Sequence, residues 1–250
     1  MRRVSLAVLL LLIAAVAGAA TERRVHKTVA VNPAGTVSID THNGSVVITT
    51  WNQPSVDINA RIESEPFGSS EDVDKTDIKV GGSGGDVTIE SDYSNVPTRL
   101  TWFGASRDLP LVHYTISLPP GVRVSIKEHN ASVNVTGLQN DLRVSGHNGN
   151  VEVANLGGAA DIETHNGDIR VAFSRFDRSS SFETHNGGID IRMPPAARFH
   201  VNASGHHMDV SSEFATVVTR SGEQYLGDVN GGGPELRVST HNGSLRLRKS

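Results

Sequence analysis

Histidine recurs at one place in a repeated tetrapeptide, and this row of imidazoles is the strongest candidate for chemistry in the sequence. The copies are Thr41-His42-Asn43-Gly44, Glu128-His129-Asn130-Ala131, Gly146-His147-Asn148-Gly149, Thr164-His165-Asn166-Gly167, Thr184-His185-Asn186-Gly187 and Thr240-His241-Asn242-Gly243, with a worn copy at Gly205-His206-His207-Met208. If the copies stack as strands about 4.8 Å apart, His129, His147, His165 and His185 form one outer row. Such a row would bind Zn²⁺ or Cu²⁺, or gain charge near pH 6 and loosen by repulsion. The alternative is a set of exposed repeat residues without a chemical role.

Carboxylates offer a second kind of chemistry. Asp161, Glu163 and Glu183 fall on one outer face, and two carboxyls about 5 Å apart match the spacing of a retaining glycosidase. A catalytic pair also needs unequal surroundings and a cleft, for which the sequence gives no sign, and Arg143 lies in the neighbouring column. The chain has no Cys, which excludes disulfides, thiolate metal sites and a cysteine nucleophile. We therefore expect no enzymatic activity and no obligatory cofactor.

Aromatic residues and charge bear on the partner. Tyr93, Trp102, Phe103 and Tyr114 predict a contact surface on loops, although a loop that covers one end of the core explains them equally well. The formal charge is −4, and no basic stripe or basic-aromatic cluster is present, which argues against nucleic acid.

The segments around each tetrapeptide alternate apolar and polar residues, which is typical of a strand before and a strand after it. Asn-Gly favours a tight turn with positive φ between the two strands. The predicted structural turns are Asn43-Gly44, Asn148-Gly149, Asn166-Gly167, Asn186-Gly187 and Asn242-Gly243, and we expect positive φ at Gly149, Gly167, Gly187 and Gly243.

The spacing of the tetrapeptides distinguishes two all-β architectures. Asn130, Asn148, Asn166 and Asn186 follow one another at 18, 18 and 20 residues. Antiparallel hairpins in a sandwich or propeller are one option, but a propeller blade needs about 40 residues, whereas about 18–20 suffice for one coil of a β-solenoid. We therefore predict a single-stranded solenoid whose equivalent strands stack in parallel. The predicted inward residues are Ile126, Val144, Val151, Val153, Ile162, Ile169, Val171, Ile189 and Ile191.

The rest of the chain indicates export and one repeat domain. Residues 1–20 combine Arg2 and Arg3, an apolar stretch and small residues, which predicts a cleaved signal peptide, the alternative being an uncleaved anchor. Residues 21–250 then form one solenoid domain, with loop insertions within 64–110 and no membrane span after cleavage. The charged strand at 245–249 is predicted to protect an open end of the solenoid.

Three blocks carry a resemblance to a known group. They run from Gly35 to Val46 with Trp51, from His113 to Gly121, and from Asn230 to Pro234 leading into the tetrapeptide at 240–243. In their order and spacing the sequence resembles a bacterial β-strand-repeat family of unknown function, whose members are called adhesins by inference and which is related to head-GIN and autotransporter-adhesin domains. The resemblance implies an exported, right-handed β-helix-like domain without known enzymatic activity.

Three functions remain open at this point. The leading expectation is a non-catalytic periplasmic or extracellular module that binds or scaffolds a protein, peptide or glycan of the cell envelope or surface. The second is a metal- or pH-responsive solenoid that uses the outer histidines. The third is a polysaccharide-active β-helix enzyme.

Overall fold

The computed structural model describes residues 22–65, 68–83, 85–101, 104–221 and 223–250, with side chains described outside 100–106 and 216–222. The predicted signal peptide at 1–20 lies outside the described residues. Within them the chain forms 22 strands and one helix, so the all-β prediction is confirmed.

The elements of the first half are β1 (Glu22–Ala30), β2 (Thr36–Asp40), β3 (Asn43–Thr50), β4 (Ser55–Glu63), α1 (Ser70–Lys75), β5 (Asp77–Gly81), β6 (Val87–Asp92), β7 (Arg99–Thr101), β8 (Gly104–Ser106), β9 (Leu111–Leu118), β10 (Arg123–Lys127) and β11 (Asn130–Thr136). Those of the second half are β12 (Leu142–Ser145), β13 (Val151–Leu156), β14 (Ala160–Asn166), β15 (Ile169–Phe173), β16 (Ser180–Asn186), β17 (Ile189–Met193), β18 (Phe199–Ser204), β19 (His207–Ser212), β20 (Thr216–Ser221), β21 (Gln224–Val229) and β22 (Glu235–Lys249).

The strands form two walls, and successive strands of the repeat region alternate between them. The first wall has the parallel order β6, β2, β10, β12, β14, β16, β22 and β18, with β5 at one end and β21 and β20 at the other. The second wall runs β1, β4, β9, β3, β11, β13, β15, β17, β22 and β19, parallel from β9 onwards. Strand β22 is long enough to cross from one wall to the other. The predicted parallel stacking is confirmed, and the winding is solenoid-like.

The core lies between the walls because alternate residues of the stacked strands, such as β12 and β14, point inward. Val144 pairs with Ile162 and Ile162 with Phe182, so apolar residues stack on apolar residues along the winding. All nine residues predicted to face inward are buried, which confirms the period-two pattern.

On the outer face of the second wall, Glu152, Arg170, Asp190 and Arg246 follow one another in register. Charges of opposite sign therefore alternate along this column, which favours the observed parallel pairing over one shifted by a coil.

The spatial order of the strands differs from their order along the chain. Strand β22, at the C-terminal end of the sequence, lies between β16 and β18 in one wall and between β17 and β19 in the other. The prediction that residues 245–249 protect an open end is therefore wrong, because this strand has a partner on both sides. Its charged side chains lie on the outer face and do not cover an edge.

Within 64–110 the chain forms α1, β5, β6 and a hairpin of β7 and β8. Strand β6 enters the first wall beside β2, whereas β5 pairs antiparallel with β6 at the edge. Among the described residues, no helix has the length and apolar character needed to cross a membrane.

Candidate functional site

The histidines lie at the corner where the chain passes from the first wall to the second. The alternation of the incoming strand continues through the tetrapeptide, so its first residue points inward and its histidine outward. Thr164, Thr184 and Thr240 are accordingly buried, whereas His165 and His185 are exposed. The Thr184 hydroxyl donates to the carbonyl oxygen of Gly167 at 3.0 Å and so ties neighbouring turns of the corner together.

The glycines of the tetrapeptide serve a purpose that the sequence did not indicate. Of the four predicted to have positive φ, only Gly187 does, so the tight-turn prediction is wrong for Gly149, Gly167 and Gly243. The flanking strands pair with neighbouring turns of the winding, so no hairpin forms at the corner. A Cβ on any of these glycines would overlap the carbonyl oxygen of the equivalent residue one turn away. Close approach between stacked corners therefore requires glycine here.

The asparagines form a continuous ladder of side-chain hydrogen bonds. Asn148 donates its Nδ2 to Oδ1 of Asn130 at 2.7 Å, Asn166 to Asn148 at 2.9 Å, and Asn186 to Asn166 at 2.8 Å. Asn43 extends the ladder at one end and Asn242 at the other, each through a bond of 3.0 Å. An amide ladder fixes the register of the stack because every asparagine between the two ends both donates and accepts.

The histidines form a second ladder, which we call the histidine row and define as His42, His129, His147, His165, His185, His241 and His206. From His42 to His241 the ring centroids are 4.6, 5.0, 5.1, 4.7 and 4.7 Å apart and the rings are within 11° of parallel. His206 follows His241 at 5.5 Å. Tyr93 meets His42 edge-on at 6.3 Å and so closes the row at that end.

The structure thus brings together the four histidines proposed as metal ligands and adds three more. The position of His206 beside His241 was not predicted, because β22 enters the stack out of chain order. The signal was nevertheless present, since Gly205-His206 preserves the start of the tetrapeptide.

Metal binding by this row requires movement of the rings. An imidazole nitrogen binds Zn²⁺ in the plane of its ring at about 2.0–2.1 Å. Because adjacent rings are parallel and about 5 Å apart, an ion in the plane of one ring is far from the plane of the next. Within the described part of the chain, no three His, Asp or Glu side chains are placed to hold one ion. Metal binding at His129, His147, His165 and His185 stays a prediction.

A polar groove of about 780 Å³ runs along the histidine row. His147, His165, His185, His206 and His241 line it together with the carboxylates Glu163, Glu183 and Glu223. Glu163 and Glu183 are paired in register on β14 and β16, whereas Glu223 comes from the turn before β21 and bonds to His206 at 2.5 Å. The groove combines imidazoles and carboxylates over several turns of the winding, which suits an extended polar ligand.

The predicted carboxylate set is only partly brought together. Asp161 does not line this groove and instead forms an ion pair with Arg143 at 3.2 Å. Glu163 and Glu183 are both exposed, and this similarity of surroundings does not set one apart as an acid and the other as a base.

Two titratable groups at the corner have shifted pKa values. Burial raises the pKa of Glu128 to about 7, although backbone N–H groups of Ala131 and His147 act in the opposite direction. Burial and, after it, the neighbouring His129 lower the pKa of His42. Both groups sit near one end of the histidine row, where the corner is most enclosed.

The predicted aromatic contact surface does not form as expected among the described residues. Tyr93 and Tyr114 are buried, and the Tyr114 hydroxyl bonds to Ser91 Oγ at 2.7 Å, so both belong to the core. Trp102 and Phe103 lie outside the described residues, and a contact role for them stays a prediction.

Comparison with known proteins identifies the family of this chain. The sequence profile of the Toastrack DUF4097 family matches residues 29–248. The chain belongs to this family. The family resemblance inferred from the sequence is thereby confirmed. Among curated proteins, none is significantly similar in sequence to this Toastrack protein.

Three solved structures are similar to this chain. A proposed cell adhesion protein from Clostridium sporogenes is 12% identical, with 92% of this chain and 100% of that chain covered and a TM-score of 0.46. A proposed adhesin from Bacteroides fragilis is 13% identical, with 91% and 97% covered and a TM-score of 0.46. A proposed lipid-binding protein from Parabacteroides distasonis is 11% identical, with 90% and 96% covered and a TM-score of 0.30.

Proposed function

We propose that this protein is a non-catalytic, exported binding module that holds an extended polar ligand in the groove along the histidine row. The observation that carries the proposal is the groove itself, in which five imidazole edges and three carboxylates line a continuous surface of about 780 Å³. Rigid ladders of asparagine and histidine hold these groups at near-regular intervals. A ligand with a repeating backbone, such as a glycan or an extended peptide of the cell envelope, matches that regularity.

The regular intervals come from the winding that we propose for the whole chain. Hydrogen-bonded asparagines of the ladder are 18, 18 and 20 residues apart between Asn130 and Asn186, which supports coils of 18–20 residues. We take the winding to be a right-handed single-stranded β-solenoid, as the family resemblance implies, with residues 21–250 as one domain. Cleavage at the end of the predicted signal peptide would leave an N-terminus near Ala20 or Thr21, which mass spectrometry of the exported protein tests.

Binding can be tested by screening the two classes of ligand that fit the groove. The purified protein is applied to an array of envelope glycans and to a library of extended peptides, and every hit is measured again in solution. Replacing His165 and His185 together by Ala should weaken binding at least about tenfold, because both line the middle of the groove. The matched control replaces His26 and His200, which are exposed histidines outside the row. Equal loss in both double variants, or no loss in the first, would refute the groove as the binding site.

A second candidate function, a response to acid, is favoured by the stacking of the row. Seven imidazoles follow one another within 5.5 Å, so protonating one ring places a positive charge beside its neighbours. Loss of neutral stacking would loosen the corner that builds the groove, and the ligand would then be released at low pH. The thermal measurements described in the Discussion test this response separately from ligand binding.

The metal-responsive form of this candidate has its own test. Because ring rotation would have to precede coordination, Zn²⁺ binding should be weak and should disturb the stack. Calorimetry with Zn²⁺ alone tests whether the row binds the metal. It is carried out on the wild type and on the H147Q/H165Q/H185Q variant. Heat of binding in the wild type that disappears in the variant would support a metal site, and equal heats would refute it.

A further inference from the structure

Three polar side chains lie in a line across the outer face of the second wall, outside the histidine row. Ser45 on β3 and His113 on β9 are register partners, and Ser45 Oγ lies 2.8 Å from His113 Nδ1. His113 Nε2 lies 3.0 Å from Oε1 of Glu63 on β4. All three side chains are half-buried. A hydroxyl, an imidazole and a carboxylate in this order are the arrangement that activates a serine as a nucleophile.

The hydrogen bonds of Glu63 determine the direction in which the Ser45 proton points. Arg61 donates to Oε2 of Glu63, so both carboxylate oxygens are engaged. Because a carboxylate only accepts hydrogen bonds, His113 must donate from Nε2. The other nitrogen of a neutral imidazole, Nδ1, is then an acceptor, and Ser45 must donate its hydroxyl proton to it. The tautomer that Glu63 selects therefore directs the Ser45 proton to a base.

A groove of about 590 Å³ gives a second molecule access to this line of residues. Ser45 and His113 line it together with Asn59, Arg61 and Thr115, whose side chains are all polar. This groove and the groove along the histidine row have no lining residue in common. A small polar ester can therefore reach the Ser45 hydroxyl without entering the binding groove.

We propose that Ser45 is a nucleophile that accepts an acyl group from a carboxylic ester, with His113 as its base and Glu63 as the residue that positions the base. Ser45 Oγ forms a bond to the acyl carbon and passes its proton to His113 Nδ1. The bond between the acyl carbon and the leaving oxygen breaks, and that oxygen takes the proton from His113. The products are an ester of Ser45 and a free alcohol.

The sheet around Ser45 favours a single acyl transfer over repeated turnover. Ser45 has register partners on both sides, His113 on β9 and Ser132 on β11, so the backbone N–H groups of β3 are committed to its neighbours. Fast hydrolysis of the Ser45 ester would need backbone or side-chain donors preorganised around the oxyanion. Ser45 is therefore a modification site, which goes beyond the proposed binding function and is compatible with it.

Reaction of the purified protein with 4-nitrophenyl acetate, followed by peptide mass spectrometry, tests the proposal. Ser132 is the control within the same molecule, because it is the exposed register partner of Ser45 and, among the described residues, no imidazole is hydrogen-bonded to its hydroxyl. Ser45 should acquire an acetyl group at least about tenfold faster than Ser132. Equal rates at the two serines, or no acetylation of Ser45, would overturn the proposal.

Substitutions of His113 and Glu63 test their roles, with each rate at Ser45 taken relative to Ser132 in the same molecule. His113→Gln should slow acetylation of Ser45 at least about tenfold, because the amide is not a base. Glu63→Gln keeps the shape of the side chain and loses its charge, whereas Glu63→Asp keeps the charge with a shorter side chain. Because the charge stabilises the protonated imidazole, E63D should react faster than E63Q. The reverse order, or an unchanged rate in H113Q, would overturn the proposal.

Discussion

The carboxyl group of Glu128 occupies the space next to Gly146 that a Cβ would fill. Both residues stand at the first position of the tetrapeptide, where Thr41, Thr164, Thr184 and Thr240 occur in other copies. One turn of the stack has glutamate at this inward position, which is larger than threonine. The next turn has glycine, which has no side chain. The pair keeps the corner filled because the excess volume of one offsets the deficit of the other.

This compensation of volume predicts that the effects of substitutions at Glu128 and Gly146 on the free energy of unfolding are strongly coupled. Gly146→Thr alone should destabilise the fold by about 2 kcal/mol or more, because its side chain would overlap the Glu128 carboxyl. The double variant E128T/G146T, which restores threonine at both positions, should be more stable than the two single effects predict, by at least about 1 kcal/mol. Denaturant unfolding of the wild type, the two single variants E128T and G146T, and the double variant measures the coupling. Additive changes in the free energy of unfolding would contradict it.

Glu128 should also make stability depend on pH in an unusual direction. Its pKa in the folded state is about 7, above the ordinary value of 4.5, so folding favours the protonated form. This contribution is complete below about pH 4.5, and it is lost as pH rises towards 7 and stays lost above. The stability difference between E128Q and wild type should therefore grow by about 3 kcal/mol from pH 4 to pH 8. A difference independent of pH would show that Glu128 is not the group responsible.

The histidine row should act in the opposite direction. The pKa of His42 is lowered in the folded state, so its contribution to stability is lost as pH falls through the unfolded value of about 6.5. Like-charge repulsion along the stacked rings adds to that loss. The melting midpoint should fall from pH 7.5 to pH 5.5 in the wild type and fall less in H147Q/H165Q/H185Q. An equal fall in the triple variant would leave the row without this role.

Corner glycines should be intolerant of even the smallest side chain. Gly167→Ala would place a Cβ against the carbonyl group of Gly149, and these backbone atoms of the adjacent turn leave it no room. We expect a loss of about 2 kcal/mol or more in the free energy of unfolding. Gly81→Ala is the matched control, because no atom lies within 4 Å of the added Cβ. Similar stabilities of the two variants would argue against close approach as the reason for glycine.

The asparagine ladder should contribute to stability by interaction between turns. Asn166→Ala removes one bond to Asn148 and one from Asn186 and should cost about 1 kcal/mol, since the ladder is exposed to water. Asn134→Ala, an exposed asparagine outside the ladder, should change stability by less than about 0.5 kcal/mol. The two variants are compared by their denaturation midpoints, provided that the denaturant dependence of the unfolding free energy is the same. Equal losses of stability would mean that the ladder adds nothing.

The sequence by itself determined the features that depend on local alternation and on a fixed period. Inward and outward residues alternate along a strand, so Val144, Ile162 and their equivalents could be assigned to the core from their distance to each asparagine. Equal spacing places like residues above one another, and the histidine and asparagine ladders follow from that. For the same reason the outer column of Glu152, Arg170 and Asp190 was predictable.

Only the tertiary structure decided which turns of the chain are neighbours. Parallel strands pair with partners far away in sequence, and every turn with a matching pattern fits beside every other, so the insertion of β22 between β17 and β19 leaves no local trace. The reason for glycine at the corners could not be predicted from the sequence either, because it also depends on which turns are neighbours. Asn-Gly favours a turn in isolation, but here the distance to the carbonyl oxygen of the adjacent turn excludes a side chain, and that distance exists only once the turns are stacked.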